Sequence, residues 1–285
     1  MATPIGNLRD ITLRALELLK SVDVIAAEDT RVTRKLLSHF GIGTRTIAVH
    51  RHNERTGASA LLRLLADNKS VALVTDAGTP GVSDPGTTVV GAVREAGYRV
   101  VPLPGASALT AALSASGLDT TRFLFCGFLP SRKGERAEAL SRLATFRDLM
   151  VFYEAPHRVL AALTDMATAF GGERRLVIAR ELTKLFEELH VTRLDAAEAW
   201  IGEKPERCRG EFVLLVEGFR GEQGNALADE RVLHLLLAEL PVKQAVKLAA
   251  QITGGRRNAL YQRALELQQG GEDVSHGTGR TTDKQ

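Results

Sequence analysis

A short apolar run that ends in an acid and a loop rich in glycine and proline restricts the fold of this chain more than any other feature. It occupies residues 71–86, VALVTDAGTPGVSDPG. The apolar run predicts a buried strand, so Asp76 would lie at its carboxyl end, where open α/β sheets bind ligands. The glycines let the backbone approach a ligand closely, and the prolines restrict the loop in advance. A rigid binding loop is therefore expected, although the same residue types also form ordinary turns with a capping aspartate.

Strand and helix patterns alternate on both sides of this loop. Helical spacing of apolar residues covers 12–20, 33–40, 56–65 and 87–96, and strand-like runs cover 23–27, 46–49 and 99–103. Such alternation is typical of a mainly parallel sheet with helices on its faces. A Pro-Gly turn at 104–105 leads into a small-residue helix, and a polar connection follows at 117–121. We therefore predict an N-terminal α/β domain over residues 1–118 that contains the Gly/Pro-rich cofactor loop.

A second α/β domain is predicted over residues 119–224. Its strand and helix patterns alternate as in the first domain, but no crossover helix precedes the strand pattern at 186–191, which favours antiparallel pairing there. Beyond residue 224 only helical patterns occur, so residues 225–269 are expected to form a basic helical appendage. Residues 270–285 carry few apolar side chains and are predicted to be a disordered tail. The expected fold class is α/β, with two α/β domains and a small C-terminal helical appendage.

Composition excludes several classes of function. The chain has 285 residues with 44% hydrophobic and 25% charged side chains, as in soluble globular proteins. Cys126 and Cys208 lack the spacing of a disulfide framework or a metal site, so a reduced, cytoplasmic setting and no metal are expected. No apolar run approaches the roughly 20 residues of a membrane helix, and no signal-peptide pattern begins the chain. Walker A and GxGxxG motifs are absent as well.

Charge is distributed unevenly along the sequence. The formal net charge of +3 is only mildly basic and would not by itself indicate nucleic-acid binding. Two regions, 131–147 and 243–263, are nevertheless locally basic. The helical appendage holds basic side chains that we expect to contact nucleic-acid phosphates, with a solvated helix face as the alternative. These side chains are Lys243, Lys247, Arg256 and Arg257.

Seven ordered motifs give the chain a specific resemblance to a known family. They are TPIGNL at 3–8, AEDTR at 27–31, DAGTP at 76–80, SDPG at 83–86, PLPG at 102–105, FYEAPHR at 152–158 and ARELTK at 179–184. In this order they resemble the small-subunit rRNA methyltransferases of the tetrapyrrole methylase superfamily, over roughly residues 2–268. The resemblance implies two α/β domains, with S-adenosylmethionine bound between them, in a homodimer. It also implies 2′-O-methylation of a cytidine ribose in the decoding region of 16S rRNA, within the small ribosomal subunit.

The resemblance assigns site residues by position. The cofactor-binding residues that it implies are Pro4, Ile5, Asp76, Ala77, Gly78, Thr79, Ser107, Ala108, Tyr153, Ala179 and Arg180, with residues 210–212 closing the adenine side. Asp76 is expected to accept a hydrogen bond from the cofactor while backbone groups hold the rest.

Charged residues at predicted strand ends are the candidates for chemistry and for RNA contact. A ribose hydroxyl is a poor nucleophile, so a base or a cation near it would help. Glu154, Lys184 and Glu28 are the candidate catalytic residues, and Asp29 and Arg31 are candidate contacts to RNA. For each of them the alternative is a structural salt bridge or a helix cap.

The start of the chain departs from the family pattern. Members of the family begin with an apolar strand before TPIGN, whereas only Met1 and Ala2 precede Thr3 here. A chain without that strand would expose part of its core, so we expect lower stability and a weaker Pro4 end of the cofactor site.

Two other functions stay open at this point. One is a methylase that acts on a tetrapyrrole or another small molecule, and the other is a ribosome-binding protein without catalysis. The basic helices after residue 224 favour RNA over a small molecule.

Overall fold

The computed structural model describes residues 1–50, 53–220, 226–255 and 257–272. Two compact units divide the chain, Met1–Phe219 and Arg220–Gln285. The first unit spans both of the α/β domains expected from the sequence, and the second contains the helical appendage. Most of the predicted tail, from residue 273 onward, lies outside the described residues.

The first half of the larger unit is built on a small parallel sheet. Its elements are α1 Leu13–Ser21, β1 Val24–Ala27, α2 Thr30–His39, β2 Thr46–Ala48, α3 Glu54–Ala66, β3 Val71–Val74, α4 Thr87–Glu95 and α5 Ala108–Ala115. The three strands lie in the order β2-β1-β3, and all pairs are parallel. Ala27 is in register with Val74, so the residues that follow β1 and β3 lie side by side. The alternating sequence pattern thus places two acidic segments at one edge of the sheet.

Residues 99–103, predicted as a strand, do not form one. A strand requires a neighbour that supplies its ladder of hydrogen bonds. The structure gives this segment a single backbone contact of that kind among the described residues, from the Ala2 N–H to the Leu103 carbonyl at 3.4 Å. Val101 is 53% exposed. The apolar pattern therefore predicted a strand where the chain has no neighbouring strand to pair with among the described residues.

The second half of the larger unit contains a mixed sheet. Its elements are β4 Phe123–Phe128, α6 Lys133–Leu143, β5 Leu149–Glu154, α7 Val159–Phe170, β6 Arg175–Arg180, β7 Glu188–Arg193, α8 Leu194–Gly202 and β8 Phe212–Val216. The strand order is β4-β5-β8-β6-β7, with β4 parallel to β5 and every other pair antiparallel. The antiparallel pairing predicted for this half is confirmed. The sequence patterns did not include α8, whose buried side chains Leu194, Ala197 and Ile201 follow helical spacing.

Both faces of the central strands of this sheet are covered, which explains the almost continuous burial of β5, β6 and β8. One face packs on α6, α7 and α8 through a core that includes Phe152 and Met166. The other face packs on α5, where Val151, Val177 and Leu215 surround Ala112. The small-residue helix α5 therefore lies directly on the sheet and holds the segment before it close to the end of β5.

The second unit has a small core of its own. It consists of α9 Ala226–Leu237, α10 Val242–Thr253 and α11 Arg257–Glu272. Leu233, Val246 and Leu260, one from each helix, are buried against one another. Gly254 ends α10 in the left-handed region at φ 75° and donates its N–H to the Ala250 carbonyl. In the described part of the chain, no helix is long and apolar enough to cross a membrane.

Candidate active site

A cavity of about 290 Å³ lies between the Gly/Pro-rich loop and the carboxyl end of β5. Eight of the site residues predicted from the sequence line it: Ile5, Ala77, Gly78, Thr79, Ser107, Ala108, Tyr153 and Glu154. Glu211 and Phe212, from the segment expected to close the adenine side, also lie on its wall. The cavity therefore brings together motifs that are far apart in the sequence.

Seven further residues on the wall were given no role by the sequence patterns. They are Val82, Asp84, Phe128, Ala155, Pro156, Leu182 and Val213. Most are apolar and resemble ordinary core residues in the sequence. Asp84, Ala155, Pro156 and Leu182 lie inside motifs already noted, SDPG, FYEAPHR and ARELTK, so motif membership was the available signal for them.

Backbone hydrogen bonds fix the Gly/Pro-rich loop against the start of the chain. Thr3 and Gly78 exchange N–H to carbonyl bonds of 2.9 and 3.0 Å. Gly78 adopts φ 76°, in the region that glycine tolerates best. The Thr79 hydroxyl donates to the Ala106 carbonyl at 3.2 Å. The loop is thus held before any ligand binds, as its sequence predicted.

Tyr153 connects the mixed sheet to α5 across the cavity wall. Its hydroxyl accepts the Leu109 N–H at 3.0 Å, in the first turn of α5. Its ring makes edge contacts with Phe125 and Phe128. Burial raises the pKa of the Tyr153 phenol, so the group stays neutral and acts through hydrogen bonds. Tyr153 therefore fixes the wall that Ser107 belongs to.

Asp76 is not among the residues that line the cavity, and its expected role as an acceptor for the cofactor stays a prediction. Its Oδ1 accepts the Asp29 N–H at 2.9 Å, and its own N–H donates to Glu28 Oε2 at 3.3 Å. These bonds join the segments that follow β1 and β3. Asp76 therefore shapes the edge of the sheet rather than the wall.

Three other predicted cofactor residues are not among those that line the cavity. Pro4 and Ala179 are buried and do not line the cavity. The Arg180 guanidinium donates to backbone carbonyls of Arg209, Glu206 and Phe186 at 2.7, 2.6 and 3.2 Å. Those contacts direct Arg180 toward the segments that precede β7 and β8, where it satisfies backbone carbonyl groups.

Lys184 bridges two acids beside the cavity. Its Nζ lies 2.7 Å from Glu181 Oε1 and 2.9 Å from Glu211 Oε2. Burial lowers the pKa of Lys184, but the hydrogen bonds from both acids outweigh burial and raise it above its usual value. Lys184 is thus an ammonium at neutral pH, able to stabilise negative charge but not to accept a proton.

The loop that carries Lys184 is strained. Glu181 and Thr183 adopt φ 52° and 66°, in the left-handed region that is unusual for such residues. A Cβ at Gly6 would lie 2.4 Å from Lys184 Cγ, so the TPIGN motif leaves room for the lysine stem. Strained backbone held by close packing is characteristic of functional sites.

Glu154 lies on the wall but is engaged in a buried ion pair. It is 2% exposed, and its Oε1 accepts the Ala155 N–H at 2.8 Å. Arg158 Nε lies 3.1 Å from Oε1, and Arg158 Nη2 donates to Oε2 at 3.3 Å. These partners favour the structural alternative that the sequence left open for Glu154.

Charged residues follow β1 at the carboxyl-end edge of the parallel sheet. Asp29 caps α2 by accepting the Arg31 N–H at 2.8 Å and pairs with the Arg31 guanidinium at 2.6 Å. The side-chain hydrogen bond from Arg31 lowers the pKa of Asp29 to about 2. Asp29 and Arg31 thus hold each other at an exposed position, and Glu28 lies between β1 and this pair.

Basic side chains of the second unit lie on the outer side of its helices. Lys243 and Lys247 are exposed one turn apart on α10, whereas Val246 and Ala249 of the same helix are buried. Arg257 is exposed at the start of α11. Arg256, the fourth predicted RNA contact, lies outside the described residues.

The sequence matches two described families. Residues 2–198 match the family "Tetrapyrrole (Corrin/Porphyrin) Methylases", and residues 223–268 match the "RsmI C-terminal HTH domain". Solved structures of a cobalt precorrin-4 methyltransferase, CbiF, and of a diphthine synthase both superimpose with a TM-score of 0.55. They are 18% and 17% identical and cover 76% and 75% of this chain, and 92% and 87% of their own, so they show the fold alone. Fold and site thus define a protein of the tetrapyrrole methylase class.

Curated relatives narrow the class. A protein of Escherichia coli O157:H7 named "Ribosomal RNA small subunit methyltransferase I" is 51% identical over 93% of both chains. A protein of the same name from Pseudomonas aeruginosa is 49% identical over 94% of this chain and 96% of its own. The chain therefore belongs to the ribosomal RNA small subunit methyltransferase I family.

Proposed function

We propose that this protein transfers a methyl group from S-adenosylmethionine to the 2′-oxygen of a cytidine ribose in the decoding region of 16S rRNA. The observation that supports it most is the 51% identity, over 93% of both chains, with a protein named for methylation of small-subunit rRNA. The same proposal places the reaction on the small ribosomal subunit, the protein in the cytoplasm and the active form in a homodimer.

The cavity has the chemistry that S-adenosylmethionine requires. Binding sites for small molecules are mainly apolar with a few convergent polar groups. Here Ala77 and Gly78, which carry no large side chain, line the cavity together with the polar residues Ser107 and Tyr153. Glu211, an acid, lies on the same wall and suits a ligand that carries positive charge. We infer that these groups hold the cofactor, which supplies an electrophilic methyl group.

Positioning is the main contribution that the chain's own residues make to this reaction. Holding two reactants in line can lower the barrier by about 7–11 kcal/mol. The hydrogen-bonded loop at Gly78 and the Tyr153 contact to α5 provide the rigid walls that such positioning needs. Lys184, which bridges Glu181 and Glu211, helps to hold Glu211 in its place on the wall.

Labelled methyl transfer tests the proposal directly. Purified protein is incubated with tritiated S-adenosylmethionine and with small subunits from a strain that lacks the corresponding modification. We expect label in 16S rRNA and, after digestion to nucleosides, 2′-O-methylcytidine by mass spectrometry. Label on the base or on a porphyrinoid substrate would contradict the proposal, and so would tight subunit binding without label. Naked 16S rRNA in parallel shows which form of substrate is used.

Neutralising the α10 lysines should weaken RNA binding and its dependence on salt. Each phosphate contact contributes about 0.7–0.9 to the slope of log affinity against log salt. The double variant Lys243→Ala/Lys247→Ala is therefore expected to reduce that slope by about 1.5 for small-subunit binding, measured by filter binding over a salt series. Cofactor affinity should not change. The control is Lys204→Ala, an exposed lysine of the first unit. An unchanged slope would assign Lys243 and Lys247 to a solvated face.

A further inference from the structure

Asp84 is an acid on the cavity wall that has no role in the binding described above. It lies in the SDPG motif and is half-buried. Other charged groups on or beside the wall are already engaged. Glu154 is paired with Arg158, and Glu211 is bonded to Lys184.

The backbone holds Asp84 in a fixed position. On one side the Val82 N–H donates to the Thr79 carbonyl at 3.2 Å, and on the other the Gly86 N–H donates to Glu54 Oε1 at 2.5 Å. Ser83, directly before Asp84, adopts φ 65° in the left-handed region. A serine keeps that conformation only where the surrounding structure enforces it. A carboxylate on such a segment is positioned before substrate binds.

Space for this strained segment comes from the mixed sheet. Gly127 adopts φ 64° at the irregular register of β4, and a Cβ there would lie 3.2 Å from Ser83 Oγ. The absence of a side chain at Gly127 therefore allows the SDPG loop to approach β4. The two halves of the larger unit thus fix Asp84 together, beside Phe128 and Tyr153 on the wall.

The surroundings make Asp84 a stronger base than an ordinary aspartate. Burial, and then the neighbouring charges of Glu28 and Asp76, raise the pKa of Asp84 to about 6, against a smaller opposing hydrogen bond from the Thr75 hydroxyl. Glu54 bonds Gly86 in the same loop, and Tyr153, Glu154 and Glu211 are the other titratable groups on the cavity wall. Asp84 is thus ionised at neutral pH and still basic enough to accept a proton efficiently.

We infer that Asp84 is the general base that removes the proton from the ribose 2′-hydroxyl during methyl transfer. The inference rests on the proposed function. The 2′-oxygen forms the new bond to the methyl carbon while the bond from that carbon to sulfur breaks, and its electron pair stays on sulfur to give a neutral thioether. The hydroxyl proton moves to the Asp84 carboxylate and leaves to solvent after product release. Charge and atoms balance without another reactant.

Kinetics of Asp84→Asn test this role, with small subunits as substrate. We expect kcat to fall by about 10²–10⁴-fold, with the Kd for S-adenosylhomocysteine, measured by calorimetry on the free protein, within about threefold of wild type. In the wild type, log kcat should decline below about pH 6 with a slope of one, and residual activity of the variant should lack that limb. Glu95→Gln, an exposed acid at the end of α4, is the matched control and should behave as wild type.

Thermal unfolding of the same variants gives a readout independent of activity. An acid whose folded pKa is raised destabilises the folded state when it is ionised, and the penalty disappears below its unfolded pKa. Asp84→Asn should therefore unfold at a higher temperature than wild type at pH 8, and the difference should vanish toward pH 4.

Three results would overturn the inference. They are retention of most of kcat, loss of S-adenosylhomocysteine affinity in proportion to kcat, and a lower unfolding temperature of the variant across the pH range. Failure of the wild type to methylate small subunits would instead refute the proposed function, and the inference with it.

Discussion

Replacing Arg158 with alanine is expected to lower the free energy of unfolding by about 3–5 kcal/mol at neutral pH. Glu154 is 2% exposed, and the Arg158 guanidinium is its cationic partner. Removing the arginine leaves a buried carboxylate without a compensating charge, which is far more destabilising than removing both members of the pair. Arg158 Nη2 also donates to the Leu129 carbonyl, and that bond is lost as well.

Urea unfolding of three variants measures this effect. The double variant Glu154→Gln/Arg158→Ala should recover a substantial part of the stability, because no unpaired charge remains buried. Arg142→Ala provides a matched control, since Arg142 and Glu138 form an ion pair with the same spacing on α6, where both side chains are largely exposed. Arg142→Ala is expected to lower the free energy of unfolding by about 0.5 kcal/mol or less.

The outcome also decides between two roles for Glu154. If Arg158→Ala unfolds at nearly the wild-type urea concentration and Glu154→Gln alone abolishes methylation, Glu154 is catalytic as the sequence suggested. If the loss of stability is large and the double variant recovers it, Glu154 is structural. The bonds from Ala155 and Arg158 to its carboxylate favour the second outcome.

The sequence predicted the elements of this fold well because their patterns are local. Four consecutive apolar residues predicted the strand Val71–Val74, and the glycines and prolines that follow predicted the loop. Residues 99–103 have an equally apolar pattern but no strand neighbour in the described chain. Pairing depends on a partner elsewhere in the structure, which periodicity cannot supply.

The site was predicted less completely because it depends on contacts between distant segments. Sequence order placed Asp76 at a strand end, but only the register of β1 with β3 shows that its carboxylate bonds to Asp29. Lys184 was a candidate by its motif, whereas its contact with Glu211 follows from the fold. Asp84 received no role because an acid in an SDPG turn ordinarily serves as a turn residue.

Substitution of Gly210 by alanine is expected to loosen the wall of the cavity and destabilise the protein by about 2–4 kcal/mol. Gly210 adopts φ 92°, where a Cβ is strained, and that Cβ would lie 2.4 Å from Glu181 Cγ. Glu181 in turn bonds both Lys184 and the Glu211 N–H. Displacing Glu181 therefore disturbs the wall at Glu211, and we expect the Kd for S-adenosylhomocysteine to rise at least about tenfold.

Two further variants separate the effect of the clash with Glu181 from the effect of backbone strain at Gly210. In Gly134→Ala, the new Cβ in α6 meets nothing within 4 Å, so helix propensity should raise stability by about 0.5–1 kcal/mol. Adding Glu181→Ala to Gly210→Ala removes the clash but not the backbone strain. Stability should then recover in part while cofactor affinity stays low, because Lys184 and Glu211 still lack their partner. Full recovery of affinity in that double variant would show that Glu181 only fills space, and that Lys184 holds Glu211 on the wall without it.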